Sequence, residues 1–394
     1  MIIIFVELYI IAFLIGSLEK QGVRKITQTM LFAFLVQSVI LLIYRLELSH
    51  LGREVYYSDA EIYWQNTQLL LDGGSLLGSQ TGYAYFCALL QWTSPVQSVL
   101  WNNISNILLV DLSVLLIGKL MADNRIVWHN ICSFVSICVF NPLVIYSLGR
   151  NLKDALFLAM AVAIVFCYLG LSKKRKALKL LAIIALTAGI ATVRPWGFLI
   201  PLLLPFERLF SGSRRTVLKR IMFFAFFFGI AFWAVSSSWM WRIVKLWTPI
   251  VFENSAQQSL ASLAAAPLKA LTGPGPLRSF LGHEYFLFYT YSGNIFSAIG
   301  ACMWWWNIAN FVTKFRKPVW RPISICFGLI WLFFLTVYSM QYGGSLELRF
   351  RGVVYILTSA MVYPSQENWL QQKATPVSVL AFIFIGFFAT LFSI

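Results

Sequence analysis

The chain has 394 residues, of which 59% are hydrophobic and 12% are charged. In soluble domains about a quarter of the residues are charged, so this composition excludes an ordinary soluble enzyme. The formal net charge is +16, but the basic residues stand in short segments between apolar runs and form no contiguous basic face. Nucleic acid is therefore excluded as a partner.

Apolar runs of about 17 to 25 residues, each long enough to span a bilayer, recur along the whole sequence. They predict an all-α fold, a polytopic transmembrane helical bundle of about 12 spans that forms a single integral-membrane domain over residues 1–394. In chain order the predicted spans are 2–16, 29–48, 100–121, 131–148, 155–171, two within 180–210, 222–241, 285–311, 323–340, 353–363 and 377–394.

Most lysines and arginines lie in the short segments that follow the odd-numbered predicted spans. The positive-inside rule assigns those segments to the cytoplasmic side. The densest basic group runs from Lys173 to Lys176. Both termini and two long loops, residues 49–96 and 242–284, are then predicted to lie outside. Within the first loop, residues 83–92 are apolar but too short to span, which favours a short interfacial or re-entrant helix.

The external loop 49–96 carries two carboxylates, Asp59 and Glu61, among aromatic residues. If this stretch is extended, side chains two residues apart point the same way, so both can face one cavity. In a helix the two side chains would diverge by about 200°, and only one of them could serve. A carboxylate in such a place can accept a proton from an acceptor hydroxyl as a general base. We therefore predict Asp59 as the catalytic base, with Glu61 as its neighbour or alternate.

Several cations are predicted on the same side of the membrane, where arginine can bind a phosphate through two parallel hydrogen bonds. Arg194 precedes Pro195, which disfavours helix, so Arg194 is placed at an external tip between two spans. The predicted phosphate-binding residues are Arg150, Lys153, Arg194, Arg349 and Arg351. The predicted accessory residues are Asn103, Asp154, His283 and Glu284. Leu287 stands where the second histidine of a His-Glu zinc motif would be, so this pair is a weak metal signal.

Short motifs in this order resemble the GT-C superfamily of integral-membrane glycosyltransferases, whose hallmark is an acidic motif in the first long external loop. Asp59-Ala60-Glu61 resembles that motif. The other similar patches are Gly82-Tyr83-Ala84-Tyr85-Phe86, Trp101 to Asn106, Asn141-Pro142 through Asp154, Arg194-Pro195-Trp196-Gly197 and Arg349-Phe350-Arg351. The layout departs from the family in two ways, because two spans precede the acidic loop instead of one, and the large soluble C-terminal domain of some members is absent.

The resemblance implies a membrane glycosyltransferase that moves a sugar from a polyprenyl-phosphate-linked donor to a cell-envelope glycan or lipid acceptor. It implies an inner (plasma) membrane of a bacterium, with membrane lipids as partners and the active site on the periplasmic or external side. The sequence assigns no certain cofactor and leaves metal binding undecided, although a divalent cation could bridge Asp59 and a donor phosphate.

Two other functions fit the same sequence features. A polymerase of lipid-linked polysaccharide repeat units would share the spans, the long external loops and the arginines, and only the identity of the donor separates it from a transferase. A lipid or glycan transporter without chemistry belongs to a different class. Transporters commonly contain internal repeats and charges near the bilayer midplane. The sequence has no convincing repeat, and Asp111 is its main acid within a predicted span.

Overall fold

The computed structural model describes residues 1–55, 59–76, 81–171, 175–209, 291–314, 321–342 and 348–365. All regular structure in those ranges is helical, which confirms the predicted all-α class for that part of the chain. The predicted spans 222–241 and 377–394 and the loop 242–284 lie outside the described residues.

The helices follow the apolar runs closely. The first five are α1 (Ile2–Lys20), α2 (Ile26–His50), α3 (Asp59–Leu71), α4 (Gly82–Trp92) and α5 (Val99–Asp123). Next come α6 (Trp128–Val139), α7 (Pro142–Leu148), α8 (Asp154–Leu169), α9 (Lys176–Val193) and the single turn α10 (Ile200–Leu203) between 3₁₀ segments Pro195–Leu199 and Leu204–Leu209. The last described helices are α11 (Tyr291–Lys314), α12 (Pro322–Tyr342) and α13 (Leu348–Val362), followed by the 3₁₀ turn Tyr363–Ser365.

Four of the described helices, α1, α2, α5 and α9, are long and apolar enough to cross a membrane. A fifth span results if α6 and α7, which meet at an angle of 54°, are counted together. The chain therefore has the character of an integral membrane protein, while the finer prediction of about 12 spans is not confirmed over the described residues. Helices α8, α12 and α13 are also apolar, but the apolar stretch that the structure describes in each is shorter than a span requires.

Helix α5 is the central helix of the bundle. In the apolar stretch of α5, 78% of the residues are buried inside the bundle, whereas the share is 28% for α1 and for α2 and 17% for α9. Large apolar side chains such as Phe5 and Phe13 on α1 and Leu35 on α2 are exposed. An apolar exposed face is what a helix next to lipid requires, since lipid tails cannot satisfy polar groups.

Two breaks in the helices arise from proline. At the first, Asn141 ends the helical run and caps α7 by accepting a hydrogen bond from the Leu143 amide at 2.9 Å, with Pro142 in the first turn. At the second, α9 stops at Val193, and Arg194 has extended backbone angles before Pro195. The sequence analysis predicted the second position as a break between two spans, but it placed the first inside the continuous predicted span 131–148, which was wrong at that point.

Helices α1 and α5 run parallel, which defines two ends of the bundle. At one end the Met1 ammonium donates to the Thr93 carbonyl at 3.1 Å, just before α5 begins. At the other end Gln21 Nε2 donates to Asp123 Oδ1 at 2.9 Å. We call the second the basic end, because it also holds Lys119, paired with Asp123 at 2.7 Å, and Arg321, which donates to the Asn124 carbonyl. The first we call the polar end.

The parallel course of α1 and α5 agrees with the predicted connectivity, and the sidedness can be tested directly. We expect a cysteine at Ser75, exposed in the α3–α4 connection, to react with an impermeant maleimide added outside the cell. A cysteine at Arg175, exposed before α9, should react only after permeabilisation. Both variants should be made without the six native cysteines. Outside labelling at Arg175→Cys but not at Ser75→Cys would invert the orientation and contradict an external site.

Candidate functional site

The connection between α7 and α8, residues 149–153, is held by side chains of α5; we call it the α7–α8 turn. Asn103 Nδ2 donates to the Gly149 carbonyl at 2.7 Å. Asn106 Nδ2 donates to the carbonyls of Arg150 and Leu152. A turn inside an apolar bundle has backbone carbonyls that its own helices leave unbonded. The α5 asparagines supply those missing donors, so they fix the position of the turn.

Asn151 joins four elements at the polar end. Its Oδ1 accepts hydrogen bonds from Tyr83 Oη on α4 and from Asn102 Nδ2 on α5, both at 3.1 Å. Its Nδ2 donates to the Ala60 carbonyl in α3 at 2.9 Å. Gln91 of α4 donates to Asn102 Oδ1 at 2.8 Å and extends this network. A buried network of this kind is rigid when each member has a partner, so it locks the start of α3 against the turn.

Tyr83 is a fixed donor within this network. Burial raises the pKa of its phenol well above the ordinary value, so the hydroxyl stays protonated and can donate to Asn151. The same oxygen accepts from Asn106 Nδ2 at 2.9 Å. Its ring packs edge to face on Tyr63 of α3, with centroids 5.2 Å apart. Tyr83 therefore positions α3 through both its ring and its hydroxyl.

Helix α4 lies across the polar end, because its start contacts the end of α9 and its end contacts the start of α1. A Cβ at Gly82 would lie 2.1 Å from Thr192 Oγ1, so only glycine permits this approach. The Met1 ammonium meets Thr93 just after Trp92. The predicted helix at residues 83–92 is thus confirmed as a helix.

The carboxylates Asp59 and Glu61 lie in the first turn of α3, not in an extended loop. In a helix, residues two apart diverge by about 200° around the axis. Accordingly Asp59 is half-buried and Glu61 is exposed, so the helical alternative holds, in which only one of the two carboxylates can face a cavity. Acidic residues at a helix start are stabilised by the helix dipole, which explains why this acidic pair begins a helix. Of the two, only Asp59 is turned partly inward.

Asp154 and Arg194 form a buried ion pair between the start of α8 and the end of α9. The guanidinium carbon of Arg194 also lies 5.3 Å from the ring centroid of Phe350 and 5.9 Å from that of Phe157. Arg194 was predicted at an external tip between two spans, where solvent exposure would be expected, but it is only 6% exposed. The prediction missed the carboxylate across the bundle that compensates the charge and allows its burial.

The other predicted cations surround this pair and the α7–α8 turn. The Lys153 ammonium lies 5.4 Å from the ring centroid of Tyr63 on α3. The Arg150 guanidinium lies 5.8 Å from the ring centroid of Tyr146 on α7. Arg351 is 8% exposed and follows Phe350, whose ring contacts Arg194. Cations from three separated stretches thus gather at the end where α3 begins with Asp59.

Three of the candidate side chains cannot be placed. Arg349 lies in the first turn of α13, but its side chain is outside the described part of the chain. His283 and Glu284 also lie outside the described residues. Within the described ranges, no group of three or more His, Cys, Asp or Glu side chains comes together in a way that could hold a metal ion.

The main residues that the sequence analysis left out of the site are Asn106, Asn151 and Tyr83. A signal for Asn106 was present, because Asn102 and Asn106 lie four residues apart and so share one face of α5. Nothing in the sequence marked Asn151 as the partner of Asn102, since it stands 49 residues further on.

Over the described residues, the fold and this site together define a helical bundle with helices long and apolar enough to cross a membrane and with a buried, charged and amide-rich polar end. Comparison with protein-family models, with curated proteins and with solved structures finds no match to this chain.

Proposed function

We propose that this protein is a membrane glycosyltransferase that moves a sugar from a polyprenyl-phosphate-linked donor to a lipid or glycan acceptor of the cell envelope. One observation carries the proposal: the hydrogen bond from Asn151 to the Ala60 carbonyl fixes the helix start that holds Asp59 against the turn that holds Arg150 and Lys153. A general base and phosphate-binding cations are the two groups that this transfer needs.

The reaction can be written from these residues. Asp59 takes the proton of the acceptor hydroxyl while that oxygen attacks the anomeric carbon of the sugar. The bond between this carbon and the phosphate oxygen breaks, and its electron pair leaves with the polyprenyl phosphate. Arg150, Lys153 and Arg351 stabilise the charge that develops on the departing phosphate. The products are the glycosylated acceptor, polyprenyl phosphate and a proton on Asp59.

In this proposal Arg194 acts through Asp154 and not as the main phosphate ligand. The buried ion pair joins the start of α8 to the end of α9. Because α8 begins directly after the α7–α8 turn, the pair also holds the turn that carries Arg150 and Lys153. The apolar faces of α1 and α2 leave room for a donor whose isoprenoid tail lies in the bilayer while its phosphate reaches the polar end.

The test is transfer by the purified protein in nanodiscs. We expect a radiolabelled sugar on a polyprenyl monophosphate to move to an acceptor extracted from the envelope of cells that lack the protein, with release of polyprenyl phosphate. The same nanodiscs without protein serve as the blank. Transfer only from an oligosaccharide on a polyprenyl diphosphate would replace the proposal by a repeat-unit polymerase. Movement of an intact lipid-linked sugar across proteoliposomes, with no transfer from either donor, would replace it by a transporter.

A further inference from the structure

Asp111 is a buried carboxyl group in the middle of the central helix α5. It is fully buried and stands twelve residues from each end of Val99–Asp123, about 18 Å along the axis at the usual rise per residue. Gln37 of α2, which is 2% exposed, donates from Nε2 to Asp111 Oδ1 at 2.8 Å. The same nitrogen lies 3.4 Å from the Val139 carbonyl at the end of α6. The proposed glycosyl transfer uses none of these groups.

Two oxygens of this pair have no hydrogen-bond partner among the described residues. They are Asp111 Oδ2 and Gln37 Oε1, one on each of the two joined groups. A buried acceptor without a donor is costly, and an ionised carboxylate without a cation in a membrane interior costs far more. Gln37 supplies an amide, which carries no charge. The pair as a whole therefore lacks one positive charge or one proton.

We propose that Asp111 and Gln37 form a proton-binding site inside the membrane. A single proton on Asp111 Oδ2, donated to Gln37 Oε1, satisfies both unpartnered oxygens at once. With the existing bond from Gln37 Nε2 to Asp111 Oδ1, it closes a planar acid–amide pair with two hydrogen bonds. A metal cation satisfies the same oxygens less well, because it would need several further oxygen ligands.

Other buried titratable groups lie on the helices around α5: Glu7 on α1, Tyr44 on α2, Tyr83 on α4, Cys138 on α6, Tyr146 on α7 and Asp154 on α8. Two of the acids already have their own partners, since Glu7 Oε1 accepts from Ser105 Oγ at 2.7 Å and Asp154 pairs with Arg194. Ser105 stands six residues before Asp111, about 9 Å along the helix axis. The proton therefore belongs to the Asp111–Gln37 pair and does not bridge to a second acid.

Infrared spectroscopy of the full-length protein in nanodiscs tests this site. At neutral pH we expect the carbonyl stretch of a protonated carboxylic acid, and selective ¹³C labelling of aspartate should shift it in the wild-type protein. Asp111→Asn should abolish that aspartate band and still fold, because an amide in its place can both donate to and accept from Gln37. Glu7→Gln is the matched control, since it removes a buried acid outside the pair and should leave the aspartate band intact.

A second measurement separates a proton from a metal cation. Thermal unfolding of the wild type should be the same in sodium chloride and in choline chloride at equal ionic strength. Absence of a shiftable aspartate band in the wild type would overturn the proposal. So would a sodium-dependent rise in the melting temperature that Asp111→Asn removes, because the bound charge would then be an ion. The inference is independent of the proposed function, and neither result bears on sugar transfer.

Discussion

Transfer by the Asp59→Asn variant is expected to fall by about 10²- to 10⁴-fold, which is the usual contribution of a general base. Asparagine keeps the shape of the side chain and can still form hydrogen bonds, so the protein should fold and insert normally. The loss should appear in kcat, because proton removal belongs to the chemical step. Initial rates with purified variants in nanodiscs, at saturating donor, give this value.

Glu61→Gln is the matched control for Asp59→Asn. The two carboxylates are in the same helical turn, but Glu61 is exposed and turned away from Asp59. We therefore expect Glu61→Gln to change the rate less than about threefold, as for a surface residue without contact to the reaction. Full activity of Asp59→Asn would remove Asp59 from the mechanism. A larger loss for Glu61→Gln than for Asp59→Asn would assign the base to the exposed face of α3.

The ion pair between Asp154 and Arg194 is expected to give the largest effect on stability. Removing one member leaves the other charge buried without compensation, which costs about 3–5 kcal/mol of the free energy of unfolding. We expect this loss for Arg194→Ala, measured by denaturant unfolding in a mild detergent. The aromatic rings of Phe157 and Phe350 would also lose their contact with the guanidinium.

A double-mutant cycle distinguishes the ion pair from simple loss of packing. Asp154→Asn combined with Arg194→Gln removes both charges, so its cost should be smaller than the sum of the two single changes. Lys119→Ala is the surface reference, because Lys119 pairs with Asp123 at the more exposed basic end and should contribute less than about 1 kcal/mol. Additive single changes at Asp154 and Arg194 would contradict the coupling.

The helices of the described chain could be predicted because their apolar runs are long and the proline breaks are sharp. The observed limits of α2, α5 and α9 differ from the predicted ones by only a few residues. The sequence left the state of α3 open between an extended loop and a helix, because Asp59, Glu61 and the surrounding aromatics have no strong helical period. Helix forms there because Ala60 and Tyr63 are buried on one face and Asn151 donates a hydrogen bond to the Ala60 carbonyl.

The sequence analysis predicted which residues lie at the candidate site better than it predicted how they are paired. The carboxylate Asp59 and the cations of the α7–α8 turn do gather at one end, as their order between spans suggested. The partner of Arg194 could not be read from the sequence, because Asp154 lies 40 residues earlier and only antiparallel packing of α8 and α9 brings them together. Long-range pairs of this kind depend on the tertiary structure, which local patterns do not encode.

The parallel packing of α1 along α5 has a consequence for biogenesis. The main neighbour of α1 in the bundle is α5, while its contact with α2 is slight. During synthesis α1 must therefore wait until α2, α3 and α4 have been made before that neighbour exists. Contacts between distant stretches form late and slow folding. Glu7, whose burial depends on Ser105 of α5, is then exposed to lipid or to an insertion factor throughout the delay. Because a carboxyl group in an apolar helix disfavours insertion, α1 is held only weakly in the bilayer until α5 has been made and packs against it.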